Sequence, residues 1–255
     1  MKYVKDQIYN TVYSSSTIPK GTVATLGTIE KDACSYYGRH DKKKFRGVDI
    51  LKYAVENLNF ETALDIGAGS CDQTNYLKGF GKEVYTCDFD EHVGPHCNDK
   101  VQDYDFKGDF LSCKIDKKFD FVLASHVLEH QRNIGLFLDK IVSLVNDDGY
   151  ICIIVPPRKP FIVGGHISIW NPGLVLYNLI VAGIDCSESY VCHVDYDIGI
   201  IVKAKKYDNN IVNLAYDMGD IDLLKDFFPM KVAEPFNGDI MMLDTIKNKR
   251  GKNEN

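Results

Sequence analysis

Apolar positions along the middle of the chain follow two rhythms that alternate. Continuous apolar runs over 62–66, 83–88, 119–125 and 150–155 read as short strands buried on both faces, whereas 48–58, 73–78 and 133–145 read as helices. A weaker strand is predicted over 101–106, and 172–182 reads as a strongly apolar helix entered by Pro172 and stopped at Gly183. Runs at 190–194 and 198–205, joined by Asp195, Tyr196 and Asp197, predict an antiparallel hairpin. Strand and helix taking turns over 62–155 imply right-handed crossovers and a parallel sheet covered on both faces. The pattern loosens at both ends. Residues 1–44, with the run Arg39-His40-Asp41-Lys42-Lys43-Lys44, are expected to be a lead-in or lid, and 45–206 the main domain. Residues 207–255 are expected to form a partly disordered extension with a short helix over 221–228 and a short strand over 240–243; 247–255 are polar throughout.

Chemistry concentrates where strands end. The first predicted strand runs into Asp65-Ile66-Gly67-Ala68-Gly69-Ser70, two alternate glycines that permit a tight turn before the next helix. The free N–H groups of that helix then face whatever occupies the turn. This signature could serve a dinucleotide, an ATP-like ligand or S-adenosylmethionine. The second strand ends on Asp88, 19 positions after Gly69, near the interval at which a strand-tip acid accepts hydrogen bonds from ribose hydroxyls. Phe89 beside it is placed to lie against a base. Asp109 and Phe110 follow the third strand; an acid next to an aromatic ring can bond an exocyclic amine while covering a ring face.

A chain of 255 residues, 45% hydrophobic and 26% charged, can bury one large core. The net charge of -6 supplies no broad attraction for nucleic acid or an anionic membrane, and no apolar stretch is long enough for a membrane span. The first residues lack the apolar core of a signal peptide, and the eight cysteines contain no Cys-x-x-Cys pair, so reduced core thiols and a cytoplasmic location are expected. Oligomeric state is left open.

The glycine turn, Asp88, the pair Asp109-Phe110, the block from Phe119 to His130, and the run from Asp148 to Pro156 together resemble a class I S-adenosylmethionine-dependent methyltransferase. The resemblance extends over about 48–205, in the family's usual order. It implies an α/β Rossmann-like, seven-stranded, mostly parallel sheet with a C-terminal antiparallel hairpin and helices on both faces, and the hairpin read at 190–205 agrees independently. A dehydrogenase would share the turn but want a glycine at Asp72, and the methyltransferase pattern often has one where this chain has Cys71.

By that resemblance the cofactor is S-adenosyl-L-methionine. Gly67 and Gly69 would admit its methionine part and ribose, Asp65 would orient the turn or the amino group, Asp88 would bind the ribose hydroxyls, and Asp109 and Phe110 would hold adenine. Ser125 and His126 would border the methyl group. Because the sulfonium is already activated, the protein mainly needs to align the acceptor and supply a base if the acceptor is a hydroxyl. His126, His130 and His166 follow the fourth and fifth strands, on the ligand-binding rim of such sheets; His166, in a glycine-flanked loop, is the first choice for the base. His193 reads as structural. Related quinone-pathway methyltransferases often carry Glu-x-x-Glu-His, associated with a divalent metal, at the place of His126, Glu129 and His130. No metal is expected, but those three residues are the candidate set.

The leading expectation is O-methylation of a small hydroxylated acceptor such as a sugar or polysaccharide end, with Arg158 nearby and Trp170 either a stacking platform or a core residue. Metal-assisted methylation of a quinone-like phenol or an amine is the alternative enzyme reading. A non-catalytic S-adenosylmethionine-binding protein is the alternative from another class.

Overall fold

The computed structural model describes residues 3–5, 12–14, 45–89, 103–159, 162–208 and 213–246. The chain divides into two units, 1–43 and 44–255. In the first, strand β1 (Tyr3–Lys5) pairs antiparallel with β2 (Val12–Ser14), Val4 opposite Tyr13. The run Arg39 to Lys44 of the expected lead-in or lid and the segment 247–255 lie outside the described residues.

The second unit is built on an eight-stranded sheet: β3 (Thr62–Ile66), β4 (Glu83–Asp88), β5 (Phe106–Lys107), β6 (Phe119–Ser125), β7 (Val145–Val155), β8 (Ser189–Val194), β9 (Asp197–Lys203) and β10 (Met242–Asp244), in the order β10-β8-β9-β7-β6-β3-β4-β5. Pairing is parallel from β5 to β7 and antiparallel from β7 through β9 and β8 to β10. The expected Rossmann-like sheet with its terminal hairpin is therefore present, with eight strands instead of seven. The eighth is the short strand predicted near 240–243, which adds to the far side of the hairpin.

Helices α1 (Val48–Asn57) and α2 (Asp72–Gly79) cover one face of the sheet. Helices α3 (Ile134–Leu144) and α4 (Pro172–Val181) cover the other, joined by Leu224 of α5 (Asp220–Leu224), Phe228 and Ile240. Side-chain alternation explains why β6 and β7 are apolar without interruption. Phe121, Leu123, Cys152 and Ile154 pack beneath α1 and α2, while Val122, Ala124, Ile151, Ile153 and Val155 pack beneath α3 and α4.

Two predicted strands have other bounds. Of the run 101–106, residues 101–102 are outside the described residues, and pairing begins only at Phe106 opposite Cys87. The reason is local: the Asp105 carboxylate accepts the Thr86 N–H (2.8 Å) and Thr86 Oγ1–H (2.9 Å) that a longer β5 would have met with backbone. Conversely, β7 starts at Val145, opposite Phe119, and its register shifts before Tyr150 pairs with Phe121. Asp148 in that interval has φ +65°, and the stretch between the predicted helix and strand is a bulge within β7.

The strand order reverses between β3 and β6: the chain leaves β3 toward β4 and β5, then returns to β6 and β7 on the other side. In open α/β sheets the crevice at the carboxyl ends of the strands at such a point is where ligands bind. Both the glycine turn after β3 and the histidine block after β6 open onto it. Among the described residues, no helix is long and apolar enough to cross a membrane.

Candidate active site

The turn after β3 is held from several sides. Gly67 has φ +71°, and a Cβ there would lie 2.3 Å from Val127 Cγ2, so only glycine fits against the loop after β6. Gly69 N–H donates to Asp88 Oδ2 at 2.7 Å, and Phe89 N–H donates to Asp88 Oδ1 at 2.7 Å. Asp88 thus ties the glycine turn to the tip of β4. Cys71, at the place where the family pattern often has glycine, caps α2 with φ 62° and ψ 26°. The left-handed conformation is kept; a small buried thiol occupies it.

Asp65 lies under the turn and is 2% exposed. Thr74 Oγ1–H donates to its Oδ2 at 2.6 Å. Burial pushes its carboxyl up to about 7, with the Asp88 charge adding to the effect and the Thr74 hydrogen bond opposing it. Asp65 therefore shapes the turn from below, and Asp88 presents carboxylate at its lip.

A cavity of about 310 Å³ opens beside the turn, lined by Gly67, Asp88, Phe89, Asp109, Phe110 and His130 among others. Five residues predicted to hold a cofactor are thereby brought together. Phe89 is 56% exposed and free to cover a ring, whereas Phe110 is buried edge-on against Phe137, with ring centroids 5.1 Å apart. Ser125 is not on this wall; its Oγ accepts from Gln73 Nε2 at 3.4 Å, behind the turn. Sequence reasoning missed Tyr104, whose hydroxyl donates to the Gly69 carbonyl at 2.8 Å. No periodicity singles it out, since it belongs to no strand.

The three histidines occupy different settings. His126, at φ +55°, has both ring nitrogens engaged: Nε2 is 2.8 Å from Asp197 Oδ1 and Nδ1 is 3.3 Å from Glu129 Oε1. Burial alone would lower its pKa, but the two carboxylates outweigh burial and hold it above the ordinary value. Asp197 Oδ2 also accepts the Gly47 N–H at 2.7 Å, so the pair fastens β9 to the start of α1 and to the loop after β6. His126 is thus clamped between Asp197 and Glu129 by its two ring nitrogens.

His130 and His166 stand edge to face with centroids 5.0 Å apart. His130 lines the cofactor-side cavity; His166 lines a second cavity of about 260 Å³ formed by Pro156, Pro157, Arg158, Lys159, Ile162, Val163, Ser168, Ile169 and Trp170. Burial lowers the pKa of His166, and the neighbouring histidines and Lys159 add to that against the pull of Glu129. Lys159 is pushed down to about 8 by burial and the nearby Arg46 guanidinium; both cations lie 4.0 Å over the Tyr196 ring. Trp170 does not serve as a stacking platform: it is 3% exposed, belongs to the core, and donates its indole N–H to Ser168 Oγ at 2.9 Å.

A doubly wound sheet with a glycine turn after β3, an acid at the tip of β4 and a terminal antiparallel hairpin is the arrangement that the resemblance to class I S-adenosylmethionine-dependent methyltransferases implies. In sequence, residues 64–153 of this same region match the family model described as a methyltransferase domain. No curated protein sequence matches the chain. Among solved structures, the complex between the Haloferax volcanii Trm112 methyltransferase activator and a methyltransferase matches with a TM-score of 0.50 and 14% identity, over 73% of this chain and 100% of that one. At that identity the likeness speaks for the fold. A SAM-dependent methyltransferase from Archaeoglobus fulgidus matches with a TM-score of 0.49 and 19% identity, over 62% of this chain and 91% of its own. The 1,6-didemethyltoxoflavin-N1-methyltransferase of Burkholderia thailandensis, solved with S-adenosylhomocysteine, matches with a TM-score of 0.48 and 18% identity, over 74% of this chain and 94% of its own.

Residues 64–153 are accordingly a methyltransferase domain, for which the resemblance implies S-adenosylmethionine as the methyl donor. Its residues fit the cofactor: the missing Cβ of Gly67 leaves room for a close approach, Asp88 offers a carboxylate at the lip of the cavity, and Phe89 an exposed ring.

Proposed function

We propose that the protein methylates an oxygen of a small hydroxylated acceptor held in the Pro156–Trp170 cavity. One observation carries this reading. His130 lines the cofactor-side cavity and His166 the second, and the two rings stand edge to face with centroids 5.0 Å apart, so an acceptor reaching from the second cavity toward the methyl donor would pass beside an imidazole. The sulfonium supplies an electrophilic methyl; the acceptor oxygen gives up its proton and takes the methyl as the carbon–sulfur bond breaks, leaving a neutral thioether. His166, with its pKa lowered, holds an unprotonated nitrogen near neutral pH and suits the proton-accepting side of that reaction.

The cavity is at the small end for ligand sites and suits a single ring. Its lining divides into the polar Arg158, Lys159 and His166 and the apolar Pro156, Pro157, Ile162 and Ile169. The apolar half, together with the burial of Trp170, favours a second reading within the same chemistry, a phenol-like ring in place of a sugar end. The six described cysteines are free thiols, which suits a reducing compartment, and the reading places the activity in the cytoplasm.

The test is transfer of labelled methyl from S-adenosylmethionine into parallel panels of monosaccharides, oligosaccharide ends, simple phenols and amines, with the methylated atom located by mass spectrometry. Label on oxygen supports the proposal, and the phenol-to-sugar ratio decides between the readings. Label confined to nitrogen overturns it.

A further inference from the structure

We propose that Glu129, His130 and His166 form a binding site for one divalent transition-metal ion beside the two cavities. The inference rests on the acceptor cavity assigned above and adds what holds the acceptor oxygen there. One donor atom from each residue can be chosen so that all three lie within 4.8 Å of one another.

Glu129 is the first observation. It is 1% exposed, and neither carboxylate oxygen accepts a hydrogen bond of good geometry. The nearest groups to Oε1 are His126 Nδ1 at 3.3 Å and His130 Nε2 at 3.7 Å. A buried carboxylate whose nearest charge partners are two imidazoles, neither in good hydrogen-bond geometry, would be stabilised further by a bound cation. Two donors about 2.1 Å from one tetrahedral ion are roughly 3.4 Å apart, so the Oε1–Nε2 spacing is already close to a bound geometry.

The second observation is the orientation of His130. Its Nδ1 lies 2.8 Å from the Gly165 carbonyl, which can only accept, so Nδ1 carries the proton. In the neutral ring Nε2 then presents a lone pair on the side of Glu129 Oε1, 3.7 Å away. A ring N–H given to a backbone carbonyl is how metal-bound histidines are commonly fixed. Gly165, at φ +80°, is what lets the carbonyl come so close: a Cβ there would lie 3.1 Å from His130 Nδ1. The next residue is His166. The same loop is pinned to Glu129 itself, whose carbonyl accepts the Ile167 N–H at 2.9 Å. The Asp197–His126 clamp supports Glu129 from the other side.

Two imidazoles and one carboxylate favour zinc, cobalt, manganese or iron over magnesium or calcium, which prefer all-oxygen sites. Such a set leaves coordination positions open. Because His130 lines one cavity and His166 the other, an acceptor hydroxyl entering from the second cavity could occupy an open position, where the ion would lower its pKa so that its proton passes to solvent, with His166 then a ligand in place of the base.

The test uses the full chain, stripped with a chelator and titrated with Co²⁺ in visible absorption and with Zn²⁺ in calorimetry, Mg²⁺ serving as comparator. Expected are one ion per chain, no thiolate-to-cobalt charge-transfer band, and weak Mg²⁺ binding. Glu129→Gln, His130→Ala and His166→Ala should each weaken Co²⁺ binding by more than about tenfold. His166 is in a partly exposed loop, so His166→Ala should fold even where Glu129→Gln does not. In His166→Ala, which lies outside the cofactor-side cavity, affinity for S-adenosylhomocysteine should stay within about twofold. Absence of stoichiometric binding, a thiolate band, or wild-type affinity in folded His166→Ala overturns the metal site. O-methylation persisting in stripped enzyme overturns its role while leaving the acceptor reading intact, and N-methylation by a metal-loaded enzyme does the reverse.

Discussion

Asp88→Asn tests the cofactor site most directly. The carboxylate accepts two backbone N–H groups, from Gly69 and Phe89, each at 2.7 Å. An asparagine side chain has one acceptor oxygen and one NH₂ group, so it can satisfy one of those donors and must oppose the other. Each charge-assisted hydrogen bond contributes about 1.5–3 kcal/mol, and an unsatisfied buried donor costs about 1–3 kcal/mol. Without ligand the variant should lose about 1–2 kcal/mol of stability, roughly 2–6 °C for a chain of this size. With ligand it should also lose charge-assisted bonds to the ribose hydroxyls, about 3 kcal/mol for two, or on the order of a hundredfold in Kd. Calorimetry with S-adenosylhomocysteine, beside thermal melts of the unliganded protein, separates the two effects. A lowered melting temperature with Kd within threefold of wild type would refute the ribose role and leave Asp88 a brace for the turn.

Two further outcomes follow from the same turn. The raised pKa of Asp65, about 7 against an ordinary 3.8, means that the folded protein keeps a proton which the unfolded chain releases. Stability from this group is therefore full below about pH 4, falls as pH rises through 4 to 7, and stays low above; Asp65→Asn removes that slope. The variant should melt higher than wild type at pH 8, with the advantage shrinking toward pH 4, and a difference independent of pH would show that the carboxyl is not the cause. Cys71→Gly should keep S-adenosylhomocysteine affinity within about twofold. Relief of about 1 kcal/mol of left-handed strain offsets the lost packing and the greater freedom of the unfolded chain, so a melting temperature more than about 5 °C below wild type would contradict the strain assigned to Cys71.

What the sequence could reveal was local. β3, β4 and β6 and helices α1 to α4 were legible because each is a run whose period reports its own burial, and Gly67, Gly69 and Asp88 because strand tips recur at fixed intervals. The short β5 was not legible, since a side chain, Asp105, takes hydrogen bonds that a strand would have made with backbone. The state of His126 was out of reach for another reason: its partner Asp197 is 71 positions away and arrives only because β9 returns antiparallel beside β7. Read alone, Asp197 was a turn residue in a hairpin. The pairing of His166 with His130 likewise depends on the loop after β7 folding back over the block after β6. Residues read as three separate base candidates thus become one clamp and one edge-to-face pair.

The two outermost strands of the sheet are stubs. β5 has two residues and β10 three, while the strands inside them have five to eleven. An outer strand offers unpaired N–H and C=O groups to any passing chain in proportion to its length. Six-residue β8 would be such a template, and the 242–244 segment covers part of it. Tyr53 Oη–H then holds that segment by donating to Asp244 Oδ2 at 2.8 Å, and Thr245 N–H donates to the Ser189 carbonyl at 2.8 Å. The described sheet therefore stops growing at both sides, and its parallel centre is kept out of reach of edge-to-edge association between molecules.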